Sequence, residues 1–93
     1  MSPDHDPLET ARKRLLWRAS RRGIKEMDML VGGFALRELP HMTATELRIF
    51  ESLLEIPDQQ LLSFVTEQEA VPAALDCKML RALLAFRPEL THA

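Results

Sequence analysis

The chain has 93 residues, of which 46% are hydrophobic and few are glycine or proline, so a wholly disordered chain or a linker is excluded. This length favours a single domain with a thin core. The net charge of −2 argues against a dedicated nucleic-acid binder, and the single cysteine, Cys77, cannot form an intrachain disulfide.

The compartment is predicted from the amino terminus and from the longest apolar run. The start of the chain is acidic and polar, without the features of a secretory or transit peptide. The longest apolar run, residues 29–36, is far shorter than the roughly twenty residues that span a bilayer. A lone cysteine fits a reducing compartment. We therefore expect a cytoplasmic protein without membrane insertion.

Five helical segments and no convincing strand can be read along the chain. Apolar residues recur in them at the spacing of a helix that buries one face. The predicted segments are Leu8–Ser20, Lys25–Leu39, a third after Thr43 that stops at Pro57, a fourth from Asp58 to before Val71, and a fifth that holds Leu75–Phe86. These segments predict an all-α, compact five-helix bundle. It forms a single domain over residues 8–88, with mobile tails at residues 1–7 and 89–93.

Local start signals support three of the helices. Thr43 followed by Glu46 fits a capping box, and Met42 and Leu47 occupy the positions of a hydrophobic staple. Asp58 is predicted to be the N-cap of the fourth helix. The fifth helix starts either after Asp76 as its N-cap or earlier, with Pro72 in its first turn.

Glycines occur at two positions that need a physical reason. Gly32 and Gly33 lie inside the second helix, where each costs about 1 kcal/mol relative to alanine. They predict the close approach of another helix, or else a kink. Gly23 is predicted to be the C′ residue with positive φ of a first helix that ends near Arg21 or Arg22.

Basic residues are concentrated between Arg12 and Lys25, where no acidic residue occurs. If the first helix extends to Lys25, one helical face carries a basic stripe of Arg14, Arg18, Arg21 and Lys25. Trp17 lies on the flank of this stripe, away from the apolar face, and is expected to be partly exposed. The stripe is either a solvated face with Trp17 under the N-terminal tail, or a contact surface, since tryptophan and arginine dominate interface hot spots.

Catalytic and metal-ligating patterns are not visible in the sequence. His5, His41 and His92 are not spaced with other ligands as in a metal site. Ser20 and Ser63 have neither a neighbouring base nor a glycine elbow. We therefore expect that the chain is not an enzyme and holds no metal.

Two blocks of the sequence resemble a known family. The run "RLLWRASRRGIKEMDMLVGGFA" contains an Arg-Gly-x-x-Glu motif at Arg22, Gly23 and Glu26, followed by an acidic position at Asp28. The run "RIFESLLEIPDQQLLSFV" is similar to the family's second segment, with Phe64 where many relatives carry tryptophan. Together the blocks resemble the succinate dehydrogenase assembly factor 2 family, called SdhE in bacteria. Without a targeting extension, the chain looks like a bacterial member.

The resemblance implies a five-helix factor that binds the flavoprotein subunit of succinate dehydrogenase, with the fumarate reductase flavoprotein as a second client. It implies that the factor promotes covalent attachment of FAD to a histidine of that subunit and binds no cofactor stably itself. The implied contact residues are Arg22, Gly23 and Glu26, with Arg21 and Asp28 beside them, and the stripe argument adds Arg14 and Trp17.

Two other functions remain open at this point. One is a regulatory binding module of the antitoxin type. The other is a flavin carrier that would hold a phosphate with Arg14, Arg18 and Arg22, although no glycine-rich loop supports it.

Overall fold

Five α-helices make up most of the part of the chain that the computed structural model describes, residues 7–88. The helices are α1 (Pro7–Ala19), α2 (Lys25–Glu38), α3 (Ala44–Leu53), α4 (Asp58–Val65) and α5 (Lys78–Ala85), with a 3₁₀ turn at Leu39–His41. No strand occurs between residues 7 and 88, and the predicted all-α fold with five helices is confirmed. Apart from Pro7, the predicted tails at residues 1–7 and 89–93 lie outside the described residues.

All five helices contribute to one hydrophobic core. Leu15 of α1, Val31 of α2, Phe50 of α3, Leu61 of α4 and Leu80 of α5 are each almost completely buried. The helix α2 packs against α1, α4 and α5, so it lies at the centre of the bundle. Within residues 7–88, the structure contains no helix that combines the length and hydrophobicity needed to cross a bilayer.

The capping prediction for α3 is confirmed, because the Thr43 hydroxyl accepts from the Glu46 N–H and the Glu46 carboxylate accepts from the Thr43 N–H. The prediction that Asp58 is the N-cap of α4 is wrong. Pro57 occupies the N-cap of α4, and Asp58 is its first helical residue, with its carboxylate turned to Arg22. The helix α4 also ends at Val65, well before the predicted end.

The start of α5 also differs from both predicted alternatives. Its N-cap is Cys77, whose Sγ accepts a hydrogen bond from the Leu80 N–H at 3.4 Å. Asp76 instead accepts from Arg81 Nε at 2.8 Å, and this hydrogen bond raises the pKa of Arg81. Pro72 lies in the turn that precedes α5, outside the helix.

The two glycines inside α2 mark close approaches, and α2 continues unbroken through them. A Cβ at Gly32 would lie 3.0 Å from Ser20 Oγ and 3.1 Å from Ser20 Cα, at the end of α1. A Cβ at Gly33 would lie 3.1 Å from a ring carbon of Phe86. The predicted close approach is therefore confirmed, and its partners are the residue that follows α1 and the ring that follows α5.

Arg12 holds the connection between α2 and α3 against α1. Its Nε donates to the Leu39 carbonyl at 2.9 Å, and its Nη2 donates to the Met42 carbonyl at 2.9 Å. These carbonyls belong to the 3₁₀ turn and the residue that follows it, which sequence reasoning did not predict. Because the last carbonyls of a helix lack partners within the helix, an arginine that reaches them stabilises the connection.

Candidate functional site

The turn between α1 and α2 has a different geometry from the one predicted. The helix α1 ends at Ala19, so Gly23 lies in the middle of the turn and is not the C′ residue. The predicted positive φ is confirmed, at +104°. A Cβ at Gly23 would meet only Asp58 Oδ2, at 4.0 Å. The backbone conformation, and not a lack of space, therefore requires glycine here.

Asp28 fixes the shape of this turn from the first part of α2. Its Oδ1 accepts hydrogen bonds from the backbone N–H groups of Arg22 and Gly23, the latter at 3.2 Å. A single carboxylate oxygen thus satisfies two N–H groups of a turn that has no regular backbone pairing. Asp28 therefore acts within the chain, and its Oδ1 is not free to meet a partner.

Arg22 turns its guanidinium inward. Its Nε donates to Asp58 Oδ1 at 2.6 Å, its Nη1 to the Leu54 carbonyl at 2.8 Å, and its Nη2 to the Ile56 carbonyl at 2.5 Å. The side chains of Arg22 and Asp58 are only 8% and 16% exposed. We call residues 54–58 the α3–α4 corner. Arg22 holds this corner against the α1–α2 turn, because its one planar guanidinium donates hydrogen bonds to three acceptors of the corner.

The predicted stripe of four basic residues does not form, because α1 ends before Arg21 and Lys25. Arg14 and Arg18 do share a face of α1, and that face meets α3. Arg18 contacts Glu55 at 3.0 Å and Glu51 at 3.8 Å, whereas Arg14 lies 3.9 Å from Glu51. The basic face is therefore largely matched by acidic residues of the same chain.

Trp17 is 60% exposed, as its position on α1 predicts. The Arg21 guanidinium lies over the indole, 4.6 Å from the ring centroid. This is the geometry of a cation–π contact, which at an exposed site contributes about 0.5–1 kcal/mol. Trp17 and Arg21 therefore form one exposed unit, which we call the Trp17–Arg21 platform.

A groove of about 360 Å³ separates this platform from the α3–α4 corner. Trp17, Arg18 and Arg21 line one side, and Glu55, Ile56 and Pro57 line the other. Because Arg22 fixes the corner, it also fixes the width of this groove. Three of the predicted contact residues line this groove: Trp17, Arg21 and Arg22.

Glu26 is exposed in the first turn of α2, and its carboxylate makes no hydrogen bond or ion pair within residues 7–88. It lines a separate groove of about 220 Å³, together with Leu62 and Val65 of α4. The structure therefore does not bring Glu26 into the groove beside Trp17.

The seven predicted contact residues consequently divide by position. Arg22 and Asp28 point into the chain, Gly23 shapes the turn, and the others are exposed: Arg14, Trp17, Arg21 and Glu26.

Sequence reasoning missed the acidic partners Asp58, Glu51 and Glu55. A signal for two of them was present, because Glu51 and Glu55 are four residues apart, as Arg14 and Arg18 are on α1. Glu51 lies on α3 and Glu55 just beyond its end, so the matching spacing of opposite charges is consistent with α1 meeting this part of the chain. Asp58 carried no comparable signal, since its partner lies 36 positions away in the sequence.

The described part of the chain assembles no cluster of metal-ligating side chains, and the arginines considered for a phosphate have acidic neighbours. No group of three or more His, Cys, Asp or Glu side chains is placed to hold a metal ion there, and His5 and His92 lie outside it. Arg14, Arg18 and Arg22, the residues considered for a phosphate, each lie within 4 Å of a carboxylate.

Comparison with known proteins identifies the family. A family model described as "Flavinator of succinate dehydrogenase" matches residues 13–87, which include all seven predicted contact residues. This chain belongs to that family. The resemblance inferred from the two sequence blocks is thereby confirmed.

Relatives of the family occur in bacteria and in eukaryotes. The chain is 38% identical over 79 residues to the FAD assembly factor SdhE of Acetobacter pasteurianus. This match covers 85% of the chain and 72% of the relative. It is 31% identical over 74 residues to the mitochondrial succinate dehydrogenase assembly factor 2 of Dictyostelium discoideum, covering 80% of this chain and 52% of that protein. The Saccharomyces cerevisiae protein of the same name is 36% identical to this chain over 63 residues. The match covers 68% of this chain and 39% of that protein. The chain thus spans about half or less of these two eukaryotic relatives.

Proposed function

We propose that this chain binds the flavoprotein subunit of succinate dehydrogenase and promotes the covalent attachment of FAD to it. The observation that carries the proposal is the match to the succinate dehydrogenase flavinator family over residues 13–87. The bacterial relative, described as an FAD assembly factor, supports the same function. We place the protein in the cytoplasm and propose the fumarate reductase flavoprotein as a second client.

The proposed mechanism is binding and orientation, without catalysis by this chain. The flavin and the histidine that receives it both belong to the client subunit, so the factor needs only to favour the conformation in which they meet. Orientation of two reacting groups can offset several kcal/mol of a barrier. In this proposal FAD is held by the client, and the factor does not bind it stably.

The geometry supports a different role for each residue of the Arg-Gly-x-x-Glu motif. The Glu26 carboxylate has no partner among residues 7–88 and can contact the client directly. Gly23 gives the turn its shape through its positive φ. Arg22 acts from inside by holding the α3–α4 corner, so its contribution to binding is to place other residues. Trp17 and Arg21 supply the exposed aromatic and cationic groups that dominate protein interfaces.

The function is tested by reconstitution. The purified client subunit without flavin is incubated with FAD, with and without this chain, and covalent flavin is measured by fluorescence of the denatured subunit on a gel. We expect faster and more complete attachment when the chain is present. Equal rates and yields in both reactions would show that the chain is not a flavinylation factor for that client.

The contact surface is tested with Trp17→Ala, matched by Leu36→Ala. Both side chains are large, apolar and exposed, but Leu36 lies toward the other end of α2, away from the turn. Because neither side chain is in the core, both variants should fold normally. We expect weaker client binding for Trp17→Ala alone. Similar effects of the two variants would remove Trp17 from the contact surface.

The proposed absence of stable flavin binding is tested by titrating FAD with the purified chain while following flavin fluorescence. We expect no saturable quenching. Saturable quenching would instead support the flavin-carrier alternative.

A further inference from the structure

Among residues 7–88, Arg21 differs from the three arginines around it because no acidic side chain of this range pairs with it. Arg14, Arg18 and Arg22 each have a carboxylate within 4 Å, supplied by Glu51, Glu55 and Asp58. No ion pair or hydrogen bond from the Arg21 side chain occurs between residues 7 and 88, where its only recorded partner is the Trp17 ring. This leaves an exposed guanidinium with its donors available at the edge of the groove.

The groove beside Arg21 has a mixed lining, in which polar groups predominate and a few apolar side chains lie next to this charge. The Trp17 indole forms one wall, and Ile56 and the exposed Pro57 form part of the other. Other charges that line the groove are already matched, because Arg18 pairs with Glu55 and Arg22 with Asp58. A ligand complementary to this surface therefore carries one carboxylate for Arg21 and an apolar group beside it for the groove.

We propose that the Trp17–Arg21 platform receives an acidic side chain of the flavoprotein subunit, with a neighbouring apolar side chain of that subunit in the groove against Trp17 and Pro57. The proposal rests on the function proposed above and specifies the chemistry of the partner's surface. Charge complementarity commits the site to a protein segment, since one cation without a carboxylate partner among residues 7–88, next to the apolar side chains of Trp17 and Pro57, suits a single acidic residue with an apolar neighbour. An arginine stacked on an aromatic ring is also preorganised, so less side-chain entropy is lost on binding.

The structure provides a matched control in Arg37. Its guanidinium also lies 4.6 Å from the centroid of an aromatic ring, that of Phe86. Unlike Arg21, however, Arg37 has its own carboxylate partner, Glu38 Oε2, at 2.7 Å from its Nε. The two arginines therefore share the cation–π geometry and differ in whether a carboxylate of the same chain already faces them.

The experiment measures the affinity of the full chain for the purified flavoprotein subunit, with variants at these two positions. Arg21→Gln keeps a planar group that can lie on the ring but removes the charge, whereas Arg21→Lys keeps the charge. We expect about tenfold weaker binding for Arg21→Gln, a smaller loss for Arg21→Lys, and no change for Arg37→Gln. The affinity of the unaltered chain should also fall with added salt more steeply than that of Arg21→Gln.

A second readout uses Trp17, the only tryptophan in the chain. With 5-fluorotryptophan incorporated, its single ¹⁹F resonance should shift when the unlabelled flavoprotein subunit is added. No shift at saturating subunit would overturn the proposed groove contact. Equal affinity of Arg21→Gln and the unaltered chain, or equal losses for Arg21→Gln and Arg21→Lys, would overturn the proposed charge pairing.

These outcomes are separate from failure of the proposed function. If Arg21→Gln binds normally while the unaltered chain still accelerates covalent flavin attachment, only the partner chemistry is wrong. If the unaltered chain has no effect on attachment, the proposed function itself fails. Arg21-dependent sedimentation with vesicles of equal parts phosphatidylcholine and phosphatidylglycerol, with subunit affinity unchanged by Arg21→Gln, would assign the platform to anionic lipid and overturn the proposal.

Discussion

Removal of the Asp58 carboxylate should destabilise the whole fold, although Asp58 lies outside the hydrophobic core. In Asp58→Ala, the Arg22 Nε loses its acceptor at 2.6 Å while the guanidinium stays in a site where its side chain is only 8% exposed. Breaking a buried ion pair by deleting one partner costs about 3–5 kcal/mol, because the remaining charge is left without compensation.

The expected loss lies at the lower end of this range. Arg22 keeps its hydrogen bonds to the Leu54 and Ile56 carbonyls, so the guanidinium remains partly satisfied in Asp58→Ala. We therefore expect a decrease of about 3 kcal/mol in the free energy of unfolding. A chain of this length has a total stability of roughly 5–14 kcal/mol. The midpoint of thermal unfolding should fall by about 12–24 °C.

Urea unfolding followed by circular dichroism measures this loss, with Glu55→Ala as the control. The Arg18–Glu55 pair has a similar N–O distance, 3.0 Å, but its side chains are 35% and 72% exposed. Exposed pairs contribute about 0.2–1 kcal/mol, so Glu55→Ala should have a small effect. If Asp58→Ala lowers the free energy of unfolding no more than Glu55→Ala does, the buried Arg22–Asp58 ion pair does not stabilise the corner. The role assigned to Arg22 is then wrong.

Three further substitutions test the turn, the helix contact and the cap, each by urea unfolding. Gly23→Ala should cost about 1–3 kcal/mol, since an L side chain is strained at a φ of +104°. An unchanged midpoint would show that the turn tolerates a side chain. Gly32→Ala should destabilise α2 despite the higher helix propensity of alanine, because its Cβ would lie 3.1 Å from Ser20 Cα. Stabilisation would indicate that α1 can move away. Thr43→Ala should cost about 1 kcal/mol through the lost cap, and no loss would mean that the capping box is not populated in solution.

Local sequence signals predicted most of the fold because they act over a few residues. The capping box at Thr43 and Glu46 needs only the residues at the start of α3, and it forms as predicted. The prediction of Asp58 as an N-cap failed because a tertiary partner, Arg22, competes for the same carboxylate. Cys77 was not recognised as an N-cap, since a thiol is only a weak hydrogen-bond acceptor and is not among the preferred capping groups.

The turn that carries the candidate site was predictable from the sequence, but the direction of its side chains was not. The motif pointed to the turn at Arg22 and Gly23, and the structure places the only positive φ of a glycine there among residues 7–88. Whether an arginine points inward depends on acceptors that the rest of the fold supplies. For Arg22 these acceptors are Asp58 and two carbonyls, all more than 30 positions away. No local pattern in the sequence could report them.

Two arginines, one in α1 and one beyond its end, each donate side-chain hydrogen bonds to backbone carbonyls of a connection between helices. Arg12 donates to carbonyls of the α2–α3 connection, and Arg22 donates to carbonyls of the α3–α4 corner. Both connections are thereby fixed to α1 and the turn after it, which also carry Trp17 and Arg21. A small domain has a thin core, so these arginine–carbonyl hydrogen bonds fix connections that core packing alone would not hold in place. In the function proposed above, the motif arginine contributes to partner binding by setting the distance between the Trp17–Arg21 platform and the α3–α4 corner. A loss of binding in an Arg22 variant does not show that Arg22 touches the partner, whereas a loss in an Arg21 variant of unchanged stability does support contact.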